Sequence, residues 1–428
     1  MAAIGVLGCS DPPKTLTTFT CDPDATCERA GVASLTAAWP RHTIHHGLAG
    51  ADGVQMADLD GDGLLDVVTP WEQASRVTVS LHPPADCACA VREPWPTIVL
   101  PGRIGGAEDA MFADVDGNGR LDVVAGGEDA QLMVYFAPDD PAELLTQLSW
   151  TMVEILPARD LQRWMQLAFA DVDGDGRSDI VAGGRVAGAH VGYWTSATPR
   201  DGASWVWHPV GEVGCALSVI ARDVDRDGDV DIVLSDRDPM SPVVREYLGA
   251  RWLENPGPGA VGDWPAHVIY EAGGDLGYMR FIDVSDRGVI VGAASETTNR
   301  TESLATTDWL TWTPTEIPQP GNVGEYQDVE RGDLDGDGLE DLAFSYSHAF
   351  GERSGVVWLR RDPVGGWTRG EISGPDGTKY DNLLLRDVDG DGDLDVVTSE
   401  QLSNTSDAAD QLGLIWYENP FGMRAVQP

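Results

Sequence analysis

The chain repeats an acidic nine-residue phrase, D-x-D-G-D-G-x-x-D, six times nearly intact and a seventh time in decayed form. Good copies begin at Asp58, Asp114, Asp171, Asp223, Asp333 and Asp387, and the broken one at Asp283. Successive starts lie 56, 57, 52, 60, 50 and 54 residues apart. A period of that size marks a ring or stack of supersecondary units, each too thin to bury a core alone. It overrides the prior that 428 residues make two or three ordinary domains.

The same grammar surrounds each copy. A short strand (Gly53-Val-Gln-Met-Ala57) enters the phrase, and an apolar strand leaves from its last Asp (Asp66-Val-Val-Thr). A third strand follows, such as Val77 to Leu81, Leu132 to Phe136 or Gly413 to Tyr417. The fourth is led by a Trp: Trp39, Trp95, Trp150, Trp207, Trp264, Trp312 and Trp367. Short β-branched runs between Gly, Pro, Asp and Asn are an all-β signature. Four strands per unit and seven units predict a seven-bladed β-propeller over residues 36–420. One Trp-led strand precedes the first phrase and none follows the last third strand. Strand 39–44 should therefore join the last blade and close the ring, removing the exposed edges of an open array.

Inside each copy, Asp at positions 1, 3 and 5 brings carboxylates together, Gly at 6 permits a sharp turn, and Asp at 9 can close an oxygen shell. Hard oxygen ligands in a flexible shell suit Ca²⁺ rather than zinc or copper. The candidate ligands are Asp58, Asp60, Asp62 and Asp66; Asp114, Asp116, Asn118 and Asp122; Asp171, Asp173, Asp175 and Asp179. The later copies add Asp223, Asp225, Asp227 and Asp231; Asp333, Asp335, Asp337 and Asp341; Asp387, Asp389, Asp391 and Asp395. About six calcium ions are expected. The copy at Asp283 has Arg287 at position 5 and Val291 at position 9, so it should bind no metal, with the Arg287 guanidinium replacing part of the cation's charge.

The formal net charge is −42, and six divalent ions would neutralise only part of it. Such acidity disfavours contact with a nucleic acid backbone, since no basic patch offsets the repulsion. No run of 18 apolar residues exists, so no transmembrane helix is expected. Residues 1–35 read as an export segment and tether: Val6-Leu7-Gly8-Cys9-Ser10 resembles a bacterial lipoprotein cleavage box, with a lipid anchor expected at Cys9. A Pro-, Thr- and Asp-rich stretch follows it, and residues 421–428 form a C-terminal tail. Of the six cysteines, Cys21 and Cys27 could close a small loop, Cys87 and Cys89 could oxidise, and Cys215 stands alone. An extracytoplasmic, monomeric protein is expected, secreted or held to a bacterial envelope.

The acidic loops and their strands resemble the FG-GAP/VCBS repeats of integrin α-subunit propellers and their microbial relatives. The Trp-x-x-His-x-Ile strands (Trp39, His42, Ile44; Trp264, His267, Ile269) and the endings Trp252-Leu-Glu-Asn-Pro256 and Trp416-Tyr-Glu-Asn-Pro420 are similar to a secreted microbial branch. The resemblance implies calcium loops on one face of a disc and recognition loops on the other. It leaves activity open, because relatives include lectins, adhesion modules and sugar lyases or dehydratases.

Recognition should fall to two sets of segments on the face opposite the loops. One joins the Trp-led strand to the next unit and carries Arg103, Glu108, Asp109, Arg159, Arg163, Trp164, Asp275, Tyr278, Glu325, Tyr326, Lys379, Tyr380 and Asp381. The other joins second and third strands and carries Trp71, Glu72, Glu128, Arg185, His190, Arg237, Arg245, Glu296, Tyr346, His348, Arg353 and Glu400. Mixed aromatics, carboxylates and arginines suit a hydroxyl-rich carbohydrate, or a protein ligand. If the protein is an enzyme, it should be a carbohydrate lyase or dehydratase acting by β-elimination. His348 near Tyr346 and Arg353, or His190 near Arg185, would then supply base, acid and carboxylate neutralisation. His42 and His267 occupy equivalent repeat positions and should pack.

Overall fold

A computed structural model describes residues 33–85, 89–237, 249–271, 278–295, 298–401 and 411–422, with the backbone alone for Tyr278 and Ser295. The expectations for Cys9, Cys21, Cys27, Cys87, Arg245, Asp275, Glu296, the Tyr278 side chain and the end of the tail lie outside the described residues. The described chain is all β apart from four single 3₁₀ turns.

Strand β1 (Arg41–His45) precedes the first unit, whose sheet runs β2 (Gln55–Ala57), β3 (Asp66–Trp71), β4 (Arg76–Ser80), β5 (Thr97–Val99). The second sheet is β6 (Ala107–Ala113), β7 (Asp122–Gly127), β8 (Gln131–Phe136), β9 (Thr151–Glu154). A six-stranded sheet follows: β10 (Arg163–Ala170), β11 (Asp179–Thr195), β12 (Val206–Arg222), β13 (Asp231–Asp236), β14 (Gly249–Leu253), β15 (Ala266–Glu271). Next come β16 (Tyr278–Met279) and β17 (Asp283–Ser285), both paired to β18 (Gly288–Ser295), then β19 (Thr298–Ala305) and β20 (Thr313–Ile317). The fifth sheet is β21 (Glu325–Gly332), β22 (Asp341–Ser347), β23 (Val356–Arg361), β24 (Trp367–Glu371). The last comprises β25 (Lys379–Arg386), β26 (Asp395–Gln401) and β27 (Gly413–Tyr417), with β1 as its outer strand.

All named pairs are antiparallel, and β1 pairs β27 through Arg41↔Tyr417 and Thr43↔Ile415. The ends of the propeller therefore meet in one sheet, at the expected closing strand. Hydrogen bonding joins the described strands into six sheets, not the expected seven separate ones. The difference arises at β11 and β12, each 17 residues long. The 52-residue spacing between the loops at Asp171 and Asp223 leaves no turn between a Trp-led strand and the next inner strand. β12 instead runs straight on, pairing β11 as far as Cys215 and β13 from Ala216.

The core lies between units. β3, β7, β13, β22 and β26 are buried at every position, because each is covered by neighbours on both faces. One apolar cluster joins Val68, Val79 and Ile98 to Ala110, Val123 and Trp150 of the next unit. Another joins Ile44, Trp416 and Val397 of the last sheet to Val67 and Trp71 of the first, so the packing also closes. A cluster within the six-stranded sheet sets Val181, Val191 and Tyr193 against Val219, Ile232 and Leu253. That sheet folds back on itself at β12.

Two polar devices tie units together. Asn255 accepts the Gly257 amide through Oδ1 (3.0 Å) and donates through Nδ2 to the carbonyls of Val172 (2.9 Å) and Val230 (3.1 Å), in two different loops. Asn419 does the same to Leu334 (2.8 Å) and Leu394 (2.9 Å). The Glu-Asn-Pro ending is thus a clasp between consecutive acidic loops. Nearer the axis, the Leu167 amide donates to Asp109 (2.8 Å), Leu383 to Asp328 (3.0 Å) and Val54 to Asn382 (2.8 Å). The last of these spans the ring closure.

Candidate functional site

The acidic loops share one internal geometry. In all six good copies the amide of the position-6 Gly donates to the position-1 Asp, as Gly63 to Asp58 (3.0 Å), Gly119 to Asp114 (2.8 Å) and Gly338 to Asp333 (2.8 Å). These glycines are left-handed, with φ of 90° at Gly63 and 83° at Gly119, a conformation that a Cβ would strain. Carboxylate oxygens of Asp58, Asp60 and Asp62 converge, as do those of Asp114, Asp116 and Asp122, Asp171, Asp173 and Asp179, and Asp223, Asp225 and Asp231. The oxygens Asp116 Oδ1 and Asp171 Oδ1 are buried without a hydrogen-bond partner, as are Asp335 Oδ1 and Asp389 Oδ1. Converging carboxylates with orphaned oxygens fit a hard divalent cation.

The position-9 Asp has a second task. Asp66 accepts the amides of Leu59 (2.8 Å) and His82 (2.8 Å), and Asp122, Asp231, Asp341 and Asp395 repeat this two-sided grip. It fastens the loop to the end of the third strand. Burial pushes these carboxyls up, to about 7 at Asp66 and Asp122.

Guanidinium groups also reach the loops. Arg360 Nε lies 2.5 Å from Asp335 and its Nη2 3.0 Å from Asp337, and Arg200 and Arg92 meet Asp116 and Asp389. At the decayed copy the expectation about Arg287 is corrected. Asp286 and Arg287 form the two-residue turn of a hairpin between β17 and β18, and the Arg287 side chain is 80% exposed beside Glu340. The group that pairs with Asp283 is Arg331, from β21 of the next unit, half-buried and also donating to the Asp283 carbonyl. A guanidinium does meet the first carboxylate of this copy, but it comes across the unit boundary.

A cavity of about 440 Å³ opens at the axis on the face opposite the loops. Its walls obey a rule written from the repeat. The residue six before each loop's first Asp contributes Asp52, Glu108, Met165, Leu217, Gln327 and Asp381. The residue fourteen after it contributes Glu72, Glu128, Arg185, Arg237, Ser347 and Gln401. The fifth unit's equivalents, Gly277 and Thr297, lie outside the described residues, and Arg280 and Phe281 line the wall there. The inner strands explain the first set. Their register shifts between Ala107 and Asp109, Trp164 and Gln166, Ala216 and Ser218, Tyr326 and Asp328, and Tyr380 and Leu383. The extra residue of a β-bulge is re-aimed, and in these five units it is the one that faces the axis.

Charge is segregated around this ring. Glu72, Glu108 and Glu128 bring carboxylate oxygens within 4.8 Å of one another. Burial, then Glu72 and Glu128, push Glu108 up to about 8. Glu128 accepts from Arg185 (2.6 Å), and Lys379 Nζ lies 3.5 Å from both Asp52 and Asp381. Burial alone would lower the Lys379 ammonium, but Asp381 and Asp52 hold it above its usual range. On the other side stand Arg237 and Arg280; burial and then Arg237 pull Arg280 down to about 10. His348 closes the rim, its Nδ1 3.4 Å from Glu325 and its backbone left-handed at φ 55°.

Several expected face residues are not there. Trp71, Trp164, Tyr326, Tyr346 and Tyr380 are fully buried between units; Trp164, Tyr326 and Tyr380 each precede a bulge, and Trp71 and Tyr346 lie on the second strands. Tyr346 Oη has no partner and burial raises it far beyond any acid role, so the expected His348–Tyr346 pair does not exist. Arg353 is exposed and reaches only the His348 carbonyl, and His190 meets Gln162 through its backbone rather than lining the cavity. His42 and His267 stack on Trp416 and Trp252 and bond Glu418 (3.0 Å) and Glu254 (2.6 Å), the packing role expected of them. Asp52, Met165, Leu217, Arg280, Gln327 and Gln401 were not anticipated. The two fixed offsets from the loop would have found all but Arg280.

Residues 114–182 and 307–398 match the family model described as an FG-GAP-like repeat. The chain is a β-propeller that contains FG-GAP-like repeats. The matched segments hold the loops at Asp114, Asp171, Asp333 and Asp387, which share the geometry of the unmatched copies. No curated protein matches the sequence. Among solved structures, two crystals of BBS1N in complex with ARL6DN, soaked with mercury and with lead, are similar in fold. Each is 12% identical and covers 90% of this chain and 98% of that one, with TM-scores of 0.51 and 0.52. Among the described residues of this propeller, no helix is long and apolar enough to cross a membrane.

Proposed function

We propose that this protein is an extracytoplasmic, calcium-binding propeller that holds a carbohydrate in the axial cavity opposite its calcium loops. The observation that carries this reading is the cavity itself: two repeat offsets in six units deliver carboxylates, guanidiniums and amides to one concave site, beside the Lys379 ammonium. Convergent polar groups in a cleft are what a hydroxyl-rich ligand requires. A larger cleft of about 740 Å³ lies on the loop face, but loop carboxylates dominate its walls, and those belong to the metal. We count the six-stranded sheet as two blades joined through β12, which makes seven, because an apolar interface separates its halves.

Calcium would be held by the carboxylates of positions 1, 3 and 5, with position 9 shared between metal and backbone. Bound there, the cation cancels carboxylate repulsion and stiffens the loop; it supplies no chemistry at the axis. Cys89 is disulfide-bonded and Cys215 is a free buried thiol. A disulfide agrees with an oxidising compartment. The test is a glycan array probed with the calcium-loaded protein. Binding that is lost in Lys379→Met, with calcium content unchanged, is expected; binding unaffected by every cavity substitution would move the site elsewhere.

A further inference from the structure

Guanidinium groups meet the position-3 Asp in three of the six good loops, and always at the same atom. Arg200 reaches Oδ2 of Asp116 (2.7 Å), Arg360 Oδ2 of Asp335 (2.5 Å) and Arg92 Oδ2 of Asp389 (3.0 Å). In each case the other oxygen, Oδ1, is buried without a hydrogen-bond partner. The remaining three loops are built differently. Oδ1 of Asp60, Asp173 and Asp225 accepts the position-5 amide of its own loop, each at 3.1 Å. Among the described residues, no guanidinium contacts these three carboxylates. In the loops at Asp114 and Asp333 the position-5 amide turns to the position-1 Asp instead (3.0 and 3.1 Å), which releases the position-3 carboxylate from the backbone.

Three unrelated arrangements deliver these arginines to one end point. The residue before the amide gripped by the position-9 Asp is Phe136, Arg360 or Glu418 in the three units. Arg360 reaches its loop directly and also meets Asp337 at position 5 (3.0 Å). Arg200, from the segment between β11 and β12 of the next unit, lies over the Phe136 ring at 4.2 Å. Arg92, in the 3₁₀ turn Ala90–Arg92 of the first unit, is held by both oxygens of Glu418 (2.7 and 2.8 Å). The same place in the first and fourth units holds Leu81 and Glu254, and neither brings an arginine to the loop. A shared oxygen reached from three directions is a requirement of the loop, not of the strand that happens to lie beside it.

We propose that Arg92, Arg200 and Arg360 are positioning residues for calcium, and that they divide the six loops into three tight sites and three weaker ones. The tight sites are those at Asp114, Asp333 and Asp387; the weaker ones are those at Asp58, Asp171 and Asp223. This rests on the calcium reading of the loops given above. A carboxylate gripped at one oxygen has little rotamer freedom left to lose, and its buried free oxygen costs stability until a cation meets it. Groups behind a metal-ligating side chain fix its orientation, and their loss costs roughly 10- to 100-fold in metal affinity. The guanidinium also repels the ion, but from the far oxygen, and solvent screens a half-exposed side chain such as Arg200.

Equilibrium dialysis of the full chain against radioactive calcium, in steps of buffered free ion, tests this. Three ions should bind at least ~10-fold more tightly than the other three. Arg360→Gln should move one ion from the tight class to the weak one, with the total unchanged. A merely structural role would weaken all sites together. Arg200→Gln should do the same, and being at the surface it serves should Arg360→Gln fail to fold; the double variant should move two ions. Six equivalent sites in the unaltered chain would overturn the inference and leave calcium in the loops. So would a variant that keeps three tight ions or gains a fourth, because the guanidinium would then be idle or competing with the metal. No bound calcium at all would overturn both readings.

Discussion

Glu108 shows how one bulged residue couples the site to stability. Its folded pKa, about 8, lies above the ordinary value, chiefly from burial and then from Glu72 and Glu128. The fold therefore favours the protonated carboxyl. That contribution is full below about pH 4.5 and disappears as pH rises through about 8. In calcium-saturated protein without ligand, the melting temperature should fall across that window, and Glu108→Gln should flatten the fall; an unchanged slope would remove Glu108 from the cause. Tyr346 gives a complementary expectation. Its hydroxyl is buried and unpartnered, so Tyr346→Phe should leave stability unchanged or raise it by up to ~1 kcal/mol in denaturant melts. The aromatic identity of such residues was plain from the chain, but the side of the strand they face was not. A bulge shifts the alternation by one, and nothing in the local residues announces it.

At the scale of the element, the loops and clasps repeat the same bonds with different side chains. Asn419 is fully buried and serves two carbonyls in two loops. Asn419→Ala strands both and should cost about 2–3 kcal/mol in equilibrium unfolding; a loss near zero would show that the clasp is not holding the loops. The hairpin at Asp283 makes the converse case. Removing Arg331 leaves a buried carboxylate unpaired, so Arg331→Ala should cost about 3 kcal/mol, and adding Asp283→Asn should recover part of that. The decayed phrase was legible as a loop that had abandoned its ligands. Its replacement charge was assigned to the adjacent Arg287 because that residue is near in sequence, whereas β21 delivers Arg331 from 48 residues away.

For the whole molecule, the ring couples metal, packing and closure. Each loop is clamped to a neighbouring unit, so calcium bound at one should stabilise the next, by roughly 2.7 kcal/mol per site at a hundredfold excess over its dissociation constant. Thermal melts should therefore rise with calcium concentration and collapse in excess chelator, and a curve indifferent to chelator would take the ion out of the fold. Deleting residues 1–46 removes β1 and with it Ile44, which exposes the β27 edge and uncovers the cluster around Trp416. Lower stability with increased self-association in light scattering is the expected result.

The period, the acidic phrase and the Trp-led strands determined by themselves that the chain is a β-propeller, which loops gather carboxylates, and which strand closes the ring. Those features are local, and each is repeated often enough to be read without its neighbours. Only the tertiary structure decided that two units share a continuous strand, that Arg331 answers Asp283, and that the bulged residues of five inner strands meet at the axis. The reason is geometric. A ring brings together positions one repeat apart, so the cavity exists only when all units are assembled, and its opposed charges are a property of their order around the axis.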